Sequence, residues 1–590
     1  MKKITLFASL ALAVCLNVNA QRTPTHPLDI QDARFDDLPE YLESWLGGTM
    51  DRPKGVSEID DQFYISRVRP LDRIKDGDYQ IHSNVKRDRK MCIWVPLDDP
   101  TSTWKSLPRY CFEGDNFSLW SYIDIHGNWT SPWIRSTAGL TDVAHKNGVT
   151  VGCVMSIPWA DYVVPSSWAY NKYAKIFYKL TIKEGSTYKY AAPLVKMMKY
   201  YGVNGIGVNS EFRTSSTAMS NLAEFFAVCH KEAEKIGWKF EVHWYDGTAD
   251  DGQIRFDNGL GSHNSKIFGN KDNVSVDMMF ANYNWKDWQL EKTEQTAKAL
   301  ERNSFDYYAG FDIQGRGLRN DHWGELLNRN VSIGFWGAHS QSLIHQSATD
   351  DGTSDIAIQK AYLQKQELMF SGGNHNPGLL PSINTDCNLA NASLKSFHGL
   401  ATFLTAKSTI QQIPFVSRFN LGNGLKFYKD GKVAFDHKWY NLNTQDYMPT
   451  WRWWITDRND QVTATNLAGL VKAELTFDDA YWGGSCLSLS GKTNFSRVKL
   501  FKTMLEIQPQ YEFSVTYKSM HGTASHAKFF VALKDDVTHY KEIALPAVEA
   551  EGQWKTFNVT AEKLGLQAGQ KVAMMGVVVE NSPADYQLYI

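Results

Sequence analysis

The sequence predicts an α/β fold, a (β/α)8 TIM barrel followed by a C-terminal all-β sandwich region, from three observations. Eight β-rich apolar runs recur between about residues 89 and 340, helical segments separate them, and helical periodicity fades after about residue 400. Strands that alternate with helices form parallel βαβ units. Eight such units in about 280 residues match the strand number of a TIM barrel.

The predicted barrel strands are short, and each is followed by a loop and then a helical pattern. The eight runs lie at residues 89–97, 119–127, 149–157, 205–211, 239–247, 275–283, 306–315 and 331–339. Helices are predicted at residues 191–200, 220–236, 292–303 and 356–369. A doubly wound open sheet is the alternative, but it rarely needs eight regular units. Such a sheet typically carries a phosphate-binding Gly-x-Gly-x-x-Gly turn after its first strand, and the sequence has none there.

The sequence pattern after about residue 400 is typical of an all-β domain. Alternating runs separated by turn residues lie at residues 426–435, 498–501, 511–517, 528–533 and 572–579. This pattern predicts a β-sandwich, which either binds carbohydrate or serves as a rigid spacer. The predicted division is residues 1–20 as a signal peptide, 21–60 as an N-terminal extension, 61–400 as the barrel, 401–455 as a β-rich connection and 456–590 as the sandwich.

The N-terminus has the pattern of a secretory signal. Lys2 and Lys3 precede a mostly apolar stretch at residues 4–18, and small residues up to Ala20 offer a cleavage site. The pattern predicts an exported protein in the periplasm, at the cell surface or in the medium. Lipidation at Cys15 is an alternative. The stretch is too short for a membrane span, and no other segment is long and apolar enough.

Composition narrows the class of function. The 590 residues carry a formal net charge of −2, so nothing indicates a nucleic-acid partner. Aromatic residues make up 13%, which fits a carbohydrate-active protein because ring faces stack on the apolar faces of sugars; an aromatic-rich core is the alternative. The cysteines are scattered, without a Cys-x-x-Cys pair or His companions at metal spacing, which argues against a structural zinc site. A monomer is expected.

Polar and aromatic residues end most of the predicted strands. In a TIM barrel the active site lies at the C-terminal ends of the strands. A sugar site needs donors and acceptors for hydroxyls, ring faces for stacking, and an acid. The residues counted at this rim are Asp124, His126, Asn209, Glu211, His243, Trp244, Tyr245, Asp246, Asn282, Tyr283, Trp285, Asp312, Gln314, Trp336 and His339.

Asn209 and Glu211 form the most informative pair. Positions two apart on a strand project to the same face. Glycosidic cleavage needs a proton donor and a way to stabilise positive charge at the anomeric carbon, and most glycosidases use two carboxylates. An amide is a poor nucleophile, but it can orient a substrate acetamide whose oxygen then attacks. The pair therefore predicts a 2-acetamido sugar; a purely structural role for Asn209 at the strand end is the alternative.

Several segments resemble one enzyme family in the same order. Residues 201–211, Tyr-Gly-Val-Asn-Gly-Ile-Gly-Val-Asn-Ser-Glu, resemble the catalytic strand of the family 85 endo-β-N-acetylglucosaminidases. The resemblance extends over about residues 60 to 450. The other matching segments are residues 117–124 and 145–149, the Trp-Tyr-Asp at 244–246, Phe-Ala-Asn-Tyr-Asn-Trp at 280–285, and Tyr-Ala-Gly-Phe-Asp-Ile-Gln-Gly-Arg-Gly at 308–317.

The resemblance implies an activity and residue roles. Such enzymes hydrolyse the bond between the two GlcNAc units of the N-glycan core with retention, on N-glycans or glycoproteins and without metal or cofactor. Many members also transfer the glycan to other acceptors. The residue matching Glu211 is acid and then base, and the one matching Asn209 promotes attack by the acetamide. Tyr245 helps to hold the acetamide, while Tyr283 and Trp285 line the cleft.

The sequence departs from the family pattern at two places. Gly247 follows Trp-Tyr-Asp where the family often has Ser, and Phe256 stands where Trp is common at the acceptor-side entrance. The second departure puts the acceptor preference in doubt, and the chemistry is unaffected. Phe256 is kept as a substrate-binding candidate. The further substrate-binding candidates are Asp312, Gln314, Trp336 and Trp159.

Other functions remain open from the sequence. A two-carboxylate glycosidase would use Asp124, Asp246 or Asp312 as nucleophile or base, on a sugar without an acetamide. A chitinase-like barrel is disfavoured because no Asp-x-x-Asp-x-Asp-x-Glu lies on the fourth strand. A non-catalytic glycan-binding barrel is the alternative from another class, and the intact Glu211 argues against it.

Overall fold

The computed structural model describes residues 42–47, 62, 64–75, 80–83, 85–96, 116–129, 136–155, 175–313, 323–337, 354–371, 376–379, 388–389, 392–393 and 399–590. Eight parallel strands close into a barrel in which each strand pairs with the next along the chain and the last pairs with the first. This confirms the predicted barrel, and each predicted run overlaps one strand. The strands are β1 (Met91–Pro96), β2 (Ile125–Trp129), β3 (Thr150–Met155), β4 (Gly205–Val208), β5 (Glu241–Tyr245), β6 (Met278–Phe280), β7 (Tyr307–Asp312) and β8 (Ser332–Trp336).

Helices follow or lie between the barrel strands. They are α1 (Ala138–Lys146), α2 (Lys175–Leu180), α3 (Ala191–Tyr201), α4 (Ser216–Lys235), α5 (Ser265–Phe268), α6 (Asp287–Ala299), α7 (Trp323–Asn328) and α8 (Asp355–Ser371). The Ser215 hydroxyl accepts a hydrogen bond from Ala218 N at 3.1 Å and caps α4, so this helix begins four residues before the predicted 220. None of the described helices is long and apolar enough to cross a membrane.

Large aromatic side chains fill the barrel interior, and glycines on the strands leave the space that these rings occupy. A Cβ atom at Gly207 would lie 2.2 Å from Trp94 Cη2, and one at Gly205 would lie 2.2 Å from His243 Cε1. Since atoms cannot approach so closely, these two positions on β4 require glycine. Trp94 belongs to an interior cluster with Phe280 and other inward-facing residues. The interior is therefore packed below the rim, and the space for a ligand lies at the top of the strands.

The C-terminal region is a sandwich of two five-stranded sheets, as predicted. Its strands are β9 (Trp454–Thr456), β10 (Lys472–Thr476), β11 (Cys486–Ser490), β12 (Thr493–Glu506), β13 (Glu512–Ser519), β14 (Ala527–Leu533), β15 (Asp536–Ala544), β16 (Trp554–Thr560), β17 (Lys571–Ser582) and β18 (Gln587–Tyr589). One sheet has the order β9-β12-β17-β14-β15 and the other β10-β11-β18-β13-β16. Phe530 and Met574 of the first sheet belong to the same apolar core as the barrel helices, so the sandwich packs directly on the barrel.

Candidate active site

A cavity of about 230 Å³ lies at the C-terminal ends of the barrel strands. Five of the ten residues predicted to be catalytic or substrate-binding line it. Strands distant in sequence therefore deliver these residues to one place. The lining residues are Trp94, Gly207, Val208, Asn209, Glu211, His243, Trp244, Tyr245, Met278, Phe280, Tyr283 and Trp336. Glu211 is the one carboxylate among them.

Asn209 and Glu211 follow the end of β4 on a short turn in which Glu211 N donates to Asn209 O at 3.0 Å. Both residues line the cavity. Because β4 ends at Val208, they lie beyond the strand, and the turn rather than strand alternation places them together. Burial raises the pKa of the Glu211 carboxyl above its ordinary value, and a hydrogen bond with the Asn209 side chain opposes part of this rise. A carboxyl whose pKa is raised stays protonated nearer neutral pH, which a general acid requires.

Tyr245 stands at the end of β5 beside this pair. Its hydroxyl accepts a hydrogen bond from Asn282 Nδ2 at 2.8 Å, and its ring centroid lies 6.2 Å from that of Tyr283. Burial raises the pKa of Tyr245 well above its ordinary value, and the negative charge of Glu211 adds a smaller rise. The phenol therefore stays protonated and remains a hydrogen-bond donor.

Aromatic and apolar side chains form the floor and walls of the cavity. Trp94, Met278 and Phe280 lie beneath the polar rim, and Trp336 at the end of β8 stands beside them. His243 is fully buried, with its Nε2 3.0 Å from Glu241 Oε2 and its ring against Trp94. It both packs in the barrel core and borders the cavity. The lining therefore places aromatic ring faces beside the partly buried Glu211 carboxyl.

Other predicted residues lie away from the cavity lining. Trp285 is fully buried: its indole N–H donates to Gly310 O at 2.9 Å, and its ring packs on Phe311 outside the barrel. The structure thus places Trp285 in the core and not in the cleft. The Phe256 ring is tilted by 57° to the Tyr245 ring with the centroids 6.0 Å apart, and Phe256 does not line the cavity. Asp312 ends β7 and pairs in register with Trp336. Gln314 and Trp159 lie outside the described residues.

Two of the carboxylates considered as alternative nucleophiles have structural partners. The second barrel strand begins at Ile125, so Asp124 lies at the opposite end of the barrel from the cavity, and its placement at the rim was wrong. Its carboxylate pairs with Arg73 at 2.8 Å and Lys407 at 2.5 Å.

Asp246 is buried behind the end of β5. Its carboxylate oxygens accept hydrogen bonds from Asn264 Nδ2 at 2.9 Å and Tyr307 OH at 3.1 Å. Burial raises its pKa to about 7. Since Asp246 does not line the cavity, it holds neighbouring segments together and does not face a ligand there.

Sequence reasoning missed the floor of the cavity and the contacts behind Glu211. Trp94 was missed because it lies inside an apolar strand and not among the polar residues at a strand end. The glycines that face its ring, Gly127 and Gly207, were the available signal. The buried hydroxyls of Ser210 and Thr248 bond the segment carrying Glu211 to the segment after Tyr245.

The described residues contain no group of three or more His, Cys, Asp or Glu side chains arranged to hold a metal ion.

Comparison with known families matches residues 106–427, more than half of the chain, to glycosyl hydrolase family 85. Curated relatives include the cytosolic endo-β-N-acetylglucosaminidases of Gallus gallus and Homo sapiens. The first is 26% identical over 380 residues, 64% of this chain and 43% of the relative. The second is 23% identical over 412 residues, 68% of this chain and 47% of the relative. The chain thus spans less than half the length of these two relatives.

A solved structure shares the fold. The glycoside hydrolase domain of Endo-D from Streptococcus pneumoniae R6 superposes with a TM-score of 0.73 at 23% sequence identity, covering 91% of this chain and 79% of that chain. The likeness extends beyond the barrel, because so large a share of this chain includes the sandwich region.

The same relatives correct one expectation. The curated proteins from Gallus gallus and Homo sapiens are named cytosolic, which contradicts the predicted export. The export prediction was based on Lys2, Lys3 and the apolar stretch up to residue 18, all outside the described residues. Two lysines before a short apolar stretch are a compositional pattern, and such a pattern does not by itself establish targeting.

Proposed function

Because the chain belongs to glycosyl hydrolase family 85, we propose that it is an endo-acting retaining glycosidase. It cleaves the GlcNAc-β-1,4-GlcNAc core of N-linked glycans, and the substrate's own acetamide is the nucleophile. The reaction takes place in the barrel, and transfer of the glycan to acceptors other than water accompanies hydrolysis. The names of the curated relatives support this substrate class.

The observation that carries the proposal is the pairing of one carboxyl with an amide in a cavity. Glu211 is the one carboxylate of the described cavity lining, and its hydrogen-bond partner there is Asn209. A two-carboxylate mechanism would need a second acid facing the same space. Asp124 and Asp246 are held elsewhere by structural partners, which favours an internal nucleophile from the substrate.

The size of the cavity fits one sugar unit. At about 230 Å³ it is smaller than the roughly 300 Å³ at which pockets for drug-sized ligands begin. One GlcNAc therefore occupies the cavity, with its acetamide between Asn209 and Tyr245, and the remaining glycan lies outside. Trp336, Tyr283 and the floor residue Phe280 supply ring faces for the apolar side of the sugar.

The first step breaks the glycosidic bond. Glu211 donates its proton to the leaving oxygen, while the acetamide oxygen, oriented by Asn209, bonds to the anomeric carbon. Positive charge that develops at this carbon passes to the acetamide, and the product is an oxazolinium ion that keeps its N–H, which donates to the Asn209 side chain. Tyr245, protonated because of its raised pKa, donates a hydrogen bond that holds the acetamide in place.

The second step opens the oxazolinium ring. Glu211, now ionised, removes a proton from a water molecule as the water attacks the anomeric carbon, and the acetamide is restored. Two successive inversions at this carbon give net retention. A sugar hydroxyl in place of water would give transglycosylation by the same route.

The test is mass spectrometry of a high-mannose glycoprotein after incubation with the purified protein, and Glu211→Gln is the matched control. The proposal predicts a protein that keeps a single GlcNAc and a released glycan that ends in the other. Release of the whole glycan, or of single terminal sugars, would contradict an endo-acting enzyme. No release from any glycoprotein or free glycan would favour the non-catalytic binding barrel.

A further inference from the structure

Ser210, the residue between Asn209 and Glu211, is buried and fully hydrogen-bonded. Its hydroxyl donates to Tyr245 O and accepts from Gly247 N and Thr248 N, each at 3.3 Å. A hydroxyl has one hydrogen and two lone pairs, so all of its capacity is used. The side chain thereby bonds the turn after β4 to the segment that follows β5.

Thr248 makes the reciprocal contacts. Its Oγ1 accepts from Phe212 N at 3.2 Å and lies 2.6 Å from Ser210 O and 2.7 Å from Phe212 O. The single hydroxyl hydrogen is donated to one of these two carbonyls at a time. Ser210 and Phe212 are the neighbours of Glu211 in sequence, so the buried Thr248 hydroxyl fixes the backbone on both sides of the acid.

The segment that presents Thr248 is itself held in a tight hairpin. Thr248 forms a backbone bridge with Ile254, and Arg255 N donates to Gly247 O at 2.9 Å. A Cβ atom at Gly247 would lie 2.4 Å from Ser210 O, so the two segments approach this closely because residue 247 is glycine. This accounts physically for the glycine where the family pattern often has Ser.

We propose that Ser210 and Thr248 are positioning residues that hold Glu211 in the geometry for proton transfer. The proposal rests on the proposed function, in which Glu211 is the acid and then the base. Catalytic groups must be held within about 0.5 Å of the productive geometry. A misplacement of about 1 Å can lower a rate ~100-fold. Neither hydroxyl lines the cavity, so their loss changes the placement of Glu211 and leaves the sugar contacts in place.

The test compares Thr248→Val, which removes the hydroxyl at similar volume, with Thr248→Ser, which keeps it. We expect kcat of Thr248→Val to fall ~10- to 100-fold with KM within about twofold, and Thr248→Ser to recover most of the rate. Two substrates separate positioning from general damage: a glycan core whose leaving group is GlcNAc, and the same core carrying 4-nitrophenol. Because nitrophenolate leaves without a proton, the loss in kcat/KM, which reports the first step, should be several-fold smaller on the second substrate.

Thermal unfolding and circular dichroism identify variants that do not fold, and Ser210→Ala takes the place of Thr248→Val in that case. An equal loss on both substrates, without recovery in Thr248→Ser, would assign a merely structural role and overturn the proposal. Wild-type rates in a folded Thr248→Val and Ser210→Ala would also overturn it. A wild-type protein that cleaves neither substrate would overturn the proposed function itself, which is a distinguishable result.

Discussion

Replacing Asn209 by Ala tests the division of labour between the amide and the acid. The Asn209 side chain faces the cavity and hydrogen-bonds Glu211, and in the proposed mechanism it also orients the acetamide. Loss of one preorganised donor at a reacting group costs about 100- to 1,000-fold in kcat, which corresponds to roughly 2.7–4 kcal/mol. We expect a loss of this size on a glycan core, where the oxazolinium ring must be formed.

The same substitution has a predicted effect on pH dependence. Bond cleavage needs protonated Glu211, so the rate falls as pH rises through the pKa of its carboxyl. Burial raises this pKa, and the Asn209 hydrogen bond lowers it. Without the amide the pKa rises further, and the alkaline limb of the pH profile should move to higher pH in Asn209→Ala.

The assay measures initial rates against pH on a glycan core and on preformed oxazoline. The variant should process the oxazoline far better than the glycan core relative to wild type, because the oxazoline has already passed the step that Asn209 assists. Equal losses on the two substrates would refute the reasoning, and so would an alkaline limb that moves to lower pH.

Three further predictions follow from named contacts. Glu211→Gln should lower glycan cleavage at least ~1,000-fold, measured by product release, with an unchanged melting temperature, because the amide keeps the shape but carries no acidic proton. Trp285→Phe should lower the unfolding free energy by about 1–3 kcal/mol, because the hydrogen bond to Gly310 O is lost. The folded variant should keep its kcat/KM. A large change in KM would instead place Trp285 in the cleft. The Asp246 carboxyl has a pKa of about 7 in the folded state and 3.8 in the unfolded state, so in wild type the unfolding free energy falls as pH rises between these values. Asp246→Asn should make this fall smaller, because no carboxyl remains to ionise at a cost in the folded state. Urea midpoints that show the same pH dependence in variant and wild type would count against this.

The barrel was predictable because its strands and helices follow local periodicity. Eight apolar runs separated by helical segments predict parallel strands, and Asn209 and Glu211 stand at the end of the fourth run. They lie on a turn beyond β4, so the turn and not strand alternation brings them to the same cavity. Trp285 was expected in the cleft because of the family resemblance. In the structure β6 ends at Phe280, and the Trp285 side chain lies in the core. Asp124 was expected at the rim because the second run was predicted at residues 119–127. The strand begins at Ile125, which puts this carboxylate at the far end of the barrel.

Long-range contacts were beyond the reach of pattern reasoning. The bonds between Ser210 and Thr248 join residues 38 positions apart, and no spacing rule indicates them. In the sandwich, the predicted run at 498–501 is part of the long strand β12, whose buried cations break the apolar pattern. Arg497 is accommodated there because it pairs with Asp460 at 2.9 Å and lies 3.8 Å over the ring of Tyr540.

The central claim is that the nucleophile belongs to the substrate, and a series of altered acetamides tests it most directly. The measurement is kcat on glycan cores whose cleaved GlcNAc carries an acetyl, fluoroacetyl, difluoroacetyl or trifluoroacetyl group on nitrogen. Each fluorine weakens the carbonyl oxygen as a nucleophile and changes the size little. Our account predicts a steep, monotonic fall of kcat along the series, while binding changes little. A kcat that stays constant along the series would mean that a protein group attacks the anomeric carbon, and would contradict the assignment of Asn209 and Glu211.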